Sequence, residues 1–571
     1  MSRYKVTDVA IYIALIVVFL LPRLPKIDSF VTLDEPAWLS QGANFYYALG
    51  QREFENTVYE YQPAVTTMWI IAAAMHLYFP EFRGFGQGYL DYEKGRLDPF
   101  MYQHGYDPLV LLTYSRVIQT FVLLVLFLLL YFLFQRILPK LTAAFLVCFA
   151  SFDPFSLGHS RMMDHEAMVS LFVLVSLISL VVYLSKDRKL VFLLISGTAA
   201  GFAQLTKSSS IAMLAPVGIL LLLQIVYERR QGFIKAFLGN SKILIIWFAI
   251  LVLMYFVFWP GMWVAPGKML FEVYGNAFSY AFQGARLKVT QELDISTFSI
   301  NNNLSEVLWI VKVLISRITT LAWLGVLFGF AIPFTRDPEL VRSYRRLFTL
   351  LLVTALAFIF MIGIAQGRNS PHYVLSSYLA LNLLAGLGWI NLIQWLGRRF
   401  SWAYLQYAGL SIVLILQVWS AFSFFPYYYT YRNPITQSLG WNRDFPQFPY
   451  GEGLELAARY LAEMPDAQKE TAFSYYHRGC FSYFYPGTTT AFRPYYTDGY
   501  HNEDLMHHIR TADYIVIYYA NQGGLEKYRE YLEILARVEP LHVIWLDGYE
   551  YVRIYKVDSL PVEILDALAN L

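Results

Sequence analysis

Charge is scarce in this sequence. Only 15% of its 571 residues are Asp, Glu, Lys or Arg, where a soluble chain of this length carries about a quarter. The net charge of +2 excludes the clustered basic excess of a nucleic-acid footprint, so no nucleic-acid partner is expected. Cysteine is scarcer still, at two residues. Cys148 sits in an apolar run and Cys480 in a polar tail, so no disulfide is expected and no redox compartment can be read. There is no zinc-type Cys/His spacing, no internal repeat and no low-complexity stretch. Glycine loops of the P-loop or dinucleotide type are also missing, which leaves a nucleoside-phosphate donor without a home. What remains is apolar: 57% of residues are hydrophobic, with a mean hydropathy of +0.42.

Runs long enough to cross roughly 30 Å of hydrocarbon fall at about 6–22, 110–134, 141–158, 166–184, 190–206 and 209–227, then at 243–262, 307–334, 347–365, 373–396 and 402–425. That predicts about eleven spans. The first follows Arg3 and Lys5 like a signal peptide. It lacks a small-residue cleavage site and ends in Pro22-Arg23-Leu24-Pro25, so it is read as a retained helix. The run Ala64–Phe79 is short, begins after Gln62-Pro63 and contains Thr66, Thr67 and His76.

Charge bias resolves that run. With a cytoplasmic N-terminus and a non-crossing 64–79 run, the connections holding Arg136/Lys140, Lys186/Arg188/Lys189, Arg229/Arg230/Lys235/Lys242, Arg336/Arg342/Arg345/Arg346 and Arg398/Arg399 all fall inside. The 64–79 run is then a re-entrant or interfacial helix covered by protein. The loops 23–109, 159–165, 263–306 and 366–372 and everything from Pro426 onward lie outside. The long, aromatic outer loops carry the unusual charges, so the chemistry is expected there. The tail alternates helices near 453–464, 503–511, 524–537 and 560–570 with strands near 471–476, 513–519, 541–546 and 549–555. This predicts two domains, a membrane domain over 1–426 and an extracytoplasmic α/β domain over 427–571.

Three constellations stand out. Leu33-Asp34-Glu35-Pro36 places adjacent carboxylates about a dozen residues after the first span, where they cost desolvation unless they have work or partners. Asp34 could take a proton from an attacking hydroxyl, or simply cap the helix starting near Pro36. Ser160-Arg161-Met162-Met163-Asp164-His165-Glu166 offers two carboxylates and a histidine for a divalent cation or an acceptor, or else a capped helix start. Arg116, Arg161, Lys207 and Arg368 are cations beside apolar spans on the predicted outer side. Fixed cations there would stabilise a phosphate leaving group; snorkelling side chains are the plain alternative. His372, four residues beyond Arg368, is a candidate metal ligand or acid.

These residues resemble the prokaryotic membrane glycosyltransferases of family 39, related to protein O-mannosyltransferases and to the lipid A aminoarabinose transferase. The likeness runs in order through Thr32-Leu33-Asp34-Glu35-Pro36 with Ala43–Leu49, Val65-Thr66-Thr67-Met68-Trp69, Asp153–Arg161, Ala200–Ser208, Phe258–Trp263, His372–Leu375 and Tyr450–Ala458. It implies an all-α polytopic membrane fold of the GT-C type, with interfacial helices in the first outer loop and the α/β tail attached. It also implies a polyprenyl-phosphate-linked sugar as donor, Asp34 as catalytic base, and Arg116 and Lys207 on the carrier phosphate. Two segments depart from the family pattern. Gln62-Pro63-Ala64 stands where relatives usually have His-Pro-Gly, and Arg161-Met-Met-Asp164-His165-Glu166-Ala167 where they have Arg-x-Leu-His-x-Asp-Ala.

The expected reaction moves a sugar from the lipid carrier to an acceptor hydroxyl by single displacement with inversion, outside the cell membrane. Arg161 and Arg368 are further candidates for the phosphate. Glu35, Asp164, Glu166 and His372 are candidates to orient the acceptor or hold a divalent cation. The acceptor is a protein, a lipid or a polysaccharide. Transfer of a longer lipid-linked glycan is the second reading, and a flippase without transfer chemistry the third. A flippase predicts ionisable residues at mid-membrane, whereas these charges collect at one face.

Overall fold

A computed structural model describes residues 3–58, 62–91, 95–185, 188–284, 300–334, 338–365, 370–400, 404–441, 449–492, 502–520 and 526–570. The chain divides into two compact units. One comprises residues 1–25, 41–89 and 115–435; the other comprises 26–40, 90–114 and 436–571. Two stretches of the first long loop therefore group with the tail.

The first unit is helical, and each predicted apolar run lies in helix. Among the described residues, six helices are long and apolar enough to cross a membrane: Pro108–Phe134, Glu166–Ser185, Ser208–Glu228, Phe233–Phe258, Ser343–Gly363 and Pro371–Phe400. The run 307–334 is not the single straight span its composition predicts. It is two helices, Asn303–Arg317 and Thr320–Gly329, bent by 115°. Thr319 starts the second helix by accepting from the Ala322 amide. Carbonyls freed at the break are met by Asn433, whose amide group reaches the Ile318 carbonyl at 2.8 Å and whose backbone N–H reaches that of Ser316 at 2.9 Å. The remaining runs lie in the shorter helices Asp8–Leu20, Lys140–Ser151, Leu190–Thr206 and Gln406–Phe422. The run 141–158 likewise stops early, because Asp153-Pro154 opens a new short helix, Pro154–His159.

Val65–Tyr78 forms a helix of 14 residues. At 1.5 Å per residue it spans about 21 Å, too little to cross. It begins at Ala64, a left-handed residue with φ 47°, whose N–H donates to the Thr206 carbonyl at 3.2 Å. Thr66 and Thr206 share a hydroxyl bond of 2.8 Å, so the start of this helix is tied to the end of Leu190–Thr206.

Small residues let the spans approach closely, as membrane helices require where apolar burial gives no preference for protein over lipid. Gly197 and Gly201, four apart, face Phe233–Phe258, where a Cβ would come within 3.0 Å of the Trp247 carbonyl or 2.9 Å of that of Leu251. Gly388 abuts Thr320–Gly329 so tightly that its Cβ would lie 1.9 Å from the Gly325 oxygen.

The second unit carries a five-stranded mixed sheet: β1 (Thr471–Tyr475), β2 (Thr488–Phe492), β3 (Tyr514–Ile517), β4 (His542–Leu546) and β5 (Tyr549–Lys556), in the order β2-β1-β3-β5-β4. β1 runs parallel to β2 and β3, while β5 is antiparallel to β3 and β4. β3 is buried along its whole length, as expected of an inner strand covered on both faces. Asp547 and Gly548 join β4 to β5 with positive φ at both positions, the geometry a two-residue hairpin favours. Helices Leu454–Ala462, Asn502–Thr511, Glu526–Leu535 and Val562–Ala569 complete the α/β pattern read from the sequence.

Candidate active site

The first unit gathers the second acidic motif and one of the predicted cations. Asp164 starts the helix Glu166–Ser185 by accepting from the Glu166 amide at 3.0 Å, and its other oxygen lies 2.7 Å from His159 Nδ1. Glu166, buried at the start of that helix, pairs with the Lys207 ammonium. His165 Nε2 lies 3.7 Å from the same Glu166 oxygen. Lys207 is placed there because the helix Leu190–Thr206 ends one residue earlier and Lys207 takes an extended conformation. Its Nζ also sits 4.2 Å from the centre of the Tyr373 ring. The His372 ring lies near that of His159, tilted by 43° with ring centres 5.7 Å apart. Burial, with Arg317 and Lys207 nearby, holds His159 neutral and pushes its pKa down to about 3. His165 is pushed well down by burial and by Lys207.

Lys207 lies at a cavity of about 240 Å³. Gln62, Ser208, Tyr274 and Tyr373 line it together with Phe278, Phe282, Met361 and Ile362, so the walls are mostly apolar and one buried cation stands among them. Gln62 occupies the position where the family pattern has histidine, and it is part of this wall.

The other predicted cations fall differently. Arg161 donates to the Pro22 and Pro25 carbonyls, each at 2.9 Å, and so holds the backbone after the first helix. Arg116 is buried with a guanidinium nitrogen 3.2 Å from the Met162 sulfur. Arg368 lies outside the described residues. Two arginines not singled out by the sequence are buried beside these groups. Arg23 bonds the Ser160 hydroxyl at 2.8 Å, and Arg317 bonds the Tyr429 carbonyl. Their neighbours come from far along the chain, so no local spacing marks them.

In the second unit, the adjacent carboxylates part company. Glu35 is buried, and its carboxylate accepts from the Thr32 amide at 2.7 Å and the Thr32 hydroxyl at 2.9 Å. That closes the turn in the manner of half a capping box. Asp34 is exposed beside it. Among the described residues no group of three His, Cys, Asp or Glu side chains converges as a metal ion would need.

A multi-pass helical membrane protein with a buried lysine beside an apolar cavity is thus the class the structure defines. Residues 112–259 match the model of the family described as dolichyl-phosphate-mannose-protein mannosyltransferase. The resemblance read from the motifs is borne out over that stretch, which contains Arg116, Arg161, Glu166 and Lys207. The chain is also similar to ArnT from Cupriavidus metallidurans, bound to undecaprenyl phosphate, at 12% identity and a TM-score of 0.46, covering 96% of this chain and 98% of that one. It is similar to an oligosaccharyltransferase from Archaeoglobus fulgidus at 13% identity and a TM-score of 0.44, covering 91% and 71%. No curated protein matches the sequence.

Proposed function

We propose that this protein is a glycosyltransferase that moves a sugar from a polyprenyl-phosphate carrier to an acceptor hydroxyl on the extracytoplasmic face. The cavity at Lys207 is the observation that carries this reading. A carrier lipid needs an apolar bed for its isoprenoid tail and a cation for its phosphate, and the walls and the ammonium supply one each. The matched family description names a lipid-phosphate sugar donor, which supports the same chemistry.

Asp34 is the base in this reading. Its exposure suits a group that must reach an incoming hydroxyl, whereas Glu35 is occupied in closing the turn. The acceptor oxygen loses its proton to Asp34 and bonds to the anomeric carbon as the bond from that carbon to the phosphate oxygen breaks. The electron pair leaves with the polyprenyl phosphate, whose growing charge is met by Lys207. Displacement in one step inverts the anomeric carbon. Glu166 keeps the buried ammonium neutralised before the carrier arrives. Orientation with the N-terminus in the cytoplasm and the tail outside follows from the distribution of basic loops.

The test offers membranes containing the protein a panel of radiolabelled undecaprenyl-phosphate monosaccharides and follows label into product. Asp34→Asn is expected to lower transfer by about 10²- to 10⁴-fold without changing the amount of folded protein. Transfer near the parental rate would remove Asp34 from the mechanism. Cysteine labelling adds a second check: positions 34 and 207 must both react from the outer compartment.

A further inference from the structure

We propose that Arg478, in the α/β tail, is the positioning residue of the reaction, holding the turn that presents Asp34. The proposal rests on the reading of Asp34 as the base and assigns a task to a region whose sequence showed no catalytic motif.

The observations lie within the second unit. One terminal nitrogen of the Arg478 guanidinium reaches the first two turns of the helix Glu35–Gln51, donating to the Pro36 carbonyl at 3.0 Å and to the Ser40 hydroxyl at 2.6 Å. Its Nε donates to Asp98 at 3.2 Å, and Asp98 in turn accepts from the Tyr483 hydroxyl at 3.0 Å. The planar guanidinium is therefore held through Nε and a terminal nitrogen at once, which a flexible ammonium could not reproduce. The surroundings are shaped to admit it. Gly95 has φ +64°, and a Cβ there would lie 2.9 Å from Arg478 Nε. Gly479 has φ +74°, and a Cβ there would lie 2.4 Å from Pro36 Cγ. On the other side of the turn, the Leu33 amide donates to the Tyr450 carbonyl at 3.3 Å. Residues on both flanks of Asp34 are thus pinned by the tail, while Asp34 itself stays exposed.

A base displaced by about 1 Å loses on the order of a hundredfold in rate, so a clamp of this kind acts on turnover and leaves substrate binding alone. The experiment uses the full-length protein in detergent. Hydrogen exchange needs no substrate: Arg478→Ala is expected to speed amide exchange across residues 32–40 by about tenfold or more and leave β3 unchanged. Unchanged exchange in that segment overturns the proposal. Kinetics uses whichever undecaprenyl-phosphate sugar the panel identifies. Arg478→Ala is expected to lower kcat by about tenfold or more with both KM values within about twofold, Arg478→Lys recovering part of the loss. Repeated in an Asp34→Glu background, where the carboxylate is already displaced, the Arg478→Ala loss should shrink to about threefold or less. An equal loss in both backgrounds shows that Arg478 does not act through position 34. If Asp34→Asn abolishes transfer while Arg478→Ala keeps full kcat, the positioning role fails and the base stands. If Asp34→Asn stays active, the base reading fails instead.

Discussion

Each unit holds a cation among polar partners, Lys207 buried and Arg478 half-buried, and the two are held in opposite ways. In the membrane unit, Lys207 is a point charge on a flexible stem, balanced by Glu166 and set at the edge of a cavity. In the tail unit, Arg478 spreads its fork over Asp98, the Pro36 carbonyl and the Ser40 hydroxyl. An ammonium held by one principal carboxylate can exchange that partner for a phosphate. A guanidinium shared among several acceptors is held in one place, as a strut must be. The residue types fit the tasks proposed for them: a lysine where a ligand phosphate is to take over the ammonium, an arginine where the cation is to stay where it is.

The sharpest way to break the contrast is to remove the membrane unit's lysine. Lys207→Ala leaves Glu166 buried without its ammonium and is expected to cost about 3–5 kcal/mol of stability, read as thermal unfolding in detergent, along with transfer. The pair Lys207→Met with Glu166→Gln should regain most of that stability and none of the transfer. Recovery of transfer by the pair would mean that Lys207 serves the fold alone.

Packing gives the next effect. The membrane unit lets backbones touch at Gly388, and Gly388→Ala is expected to destabilise it by about 1–3 kcal/mol. A neutral result would show that Thr320–Gly329 can move aside.

Acidity separates the units by sign. His159 has its pKa lowered to about 3, so as pH falls below about 6.5 the unfolded chain takes up the proton and the folded one does not. The stability present above that pH is lost between about 6.5 and 3, amounting to up to about 2 kcal/mol by pH 5, with the bond to Asp164 working against the loss. Asp98, in the stretch of the first loop that groups with the tail, is shifted the other way: burial raises its pKa, although Arg478 and Tyr483 oppose this. Its contribution is full in acid below the unfolded pKa and declines as pH rises through the folded one. Unfolding of His159→Asn from pH 7 to 5 should show a shallower decline than the parent; parallel curves would contradict the assignment.

The smallest effect is a gain. Ala64 holds φ 47°, a region that costs an alanine about 1 kcal/mol. Ala64→Gly should raise the unfolding temperature slightly, after the extra freedom of glycine in the unfolded chain is subtracted. A fall would mean that the Ala64 methyl group contributes packing worth more than the strain.

How much of this could be read in advance follows from what kind of physics sets each feature. Apolar runs are a matter of composition, and each of them is helical. The break at Thr319 escaped because Ile318-Thr319-Thr320 holds no proline, glycine or charge to interrupt a run, and the partner that satisfies the freed carbonyls, Asn433, is over a hundred residues away. In the tail, four strands stand out by alternation, while β2 is a short threonine-rich edge strand after Pro486-Gly487. The adjacent carboxylates carried a local signal that was available: Thr32-x-x-Glu35 spells a capping box. It assigns the turn-closing task to Glu35, where a cap by Asp34 had been the alternative. Lys207 and Glu166 were both marked as candidates, but their pairing depends on two helix ends meeting. Arg478, Arg317 and Arg23 had no mark at all, because their partners are brought together only by the fold.

The tail unit is assembled from three separate pieces of chain, 26–40, 90–114 and 436–571, and this has a bearing on how the protein is made. At a ribosomal pace of about 5–20 residues per second, the turn around Asp34 emerges tens of seconds before Tyr450 and Arg478, which brace it. Throughout that interval the nascent polypeptide carries the acidic pair without its braces. On the role proposed for Arg478, competence switches on late, once the final stretch has been made and has folded with the turn, and a chain halted part-way is idle.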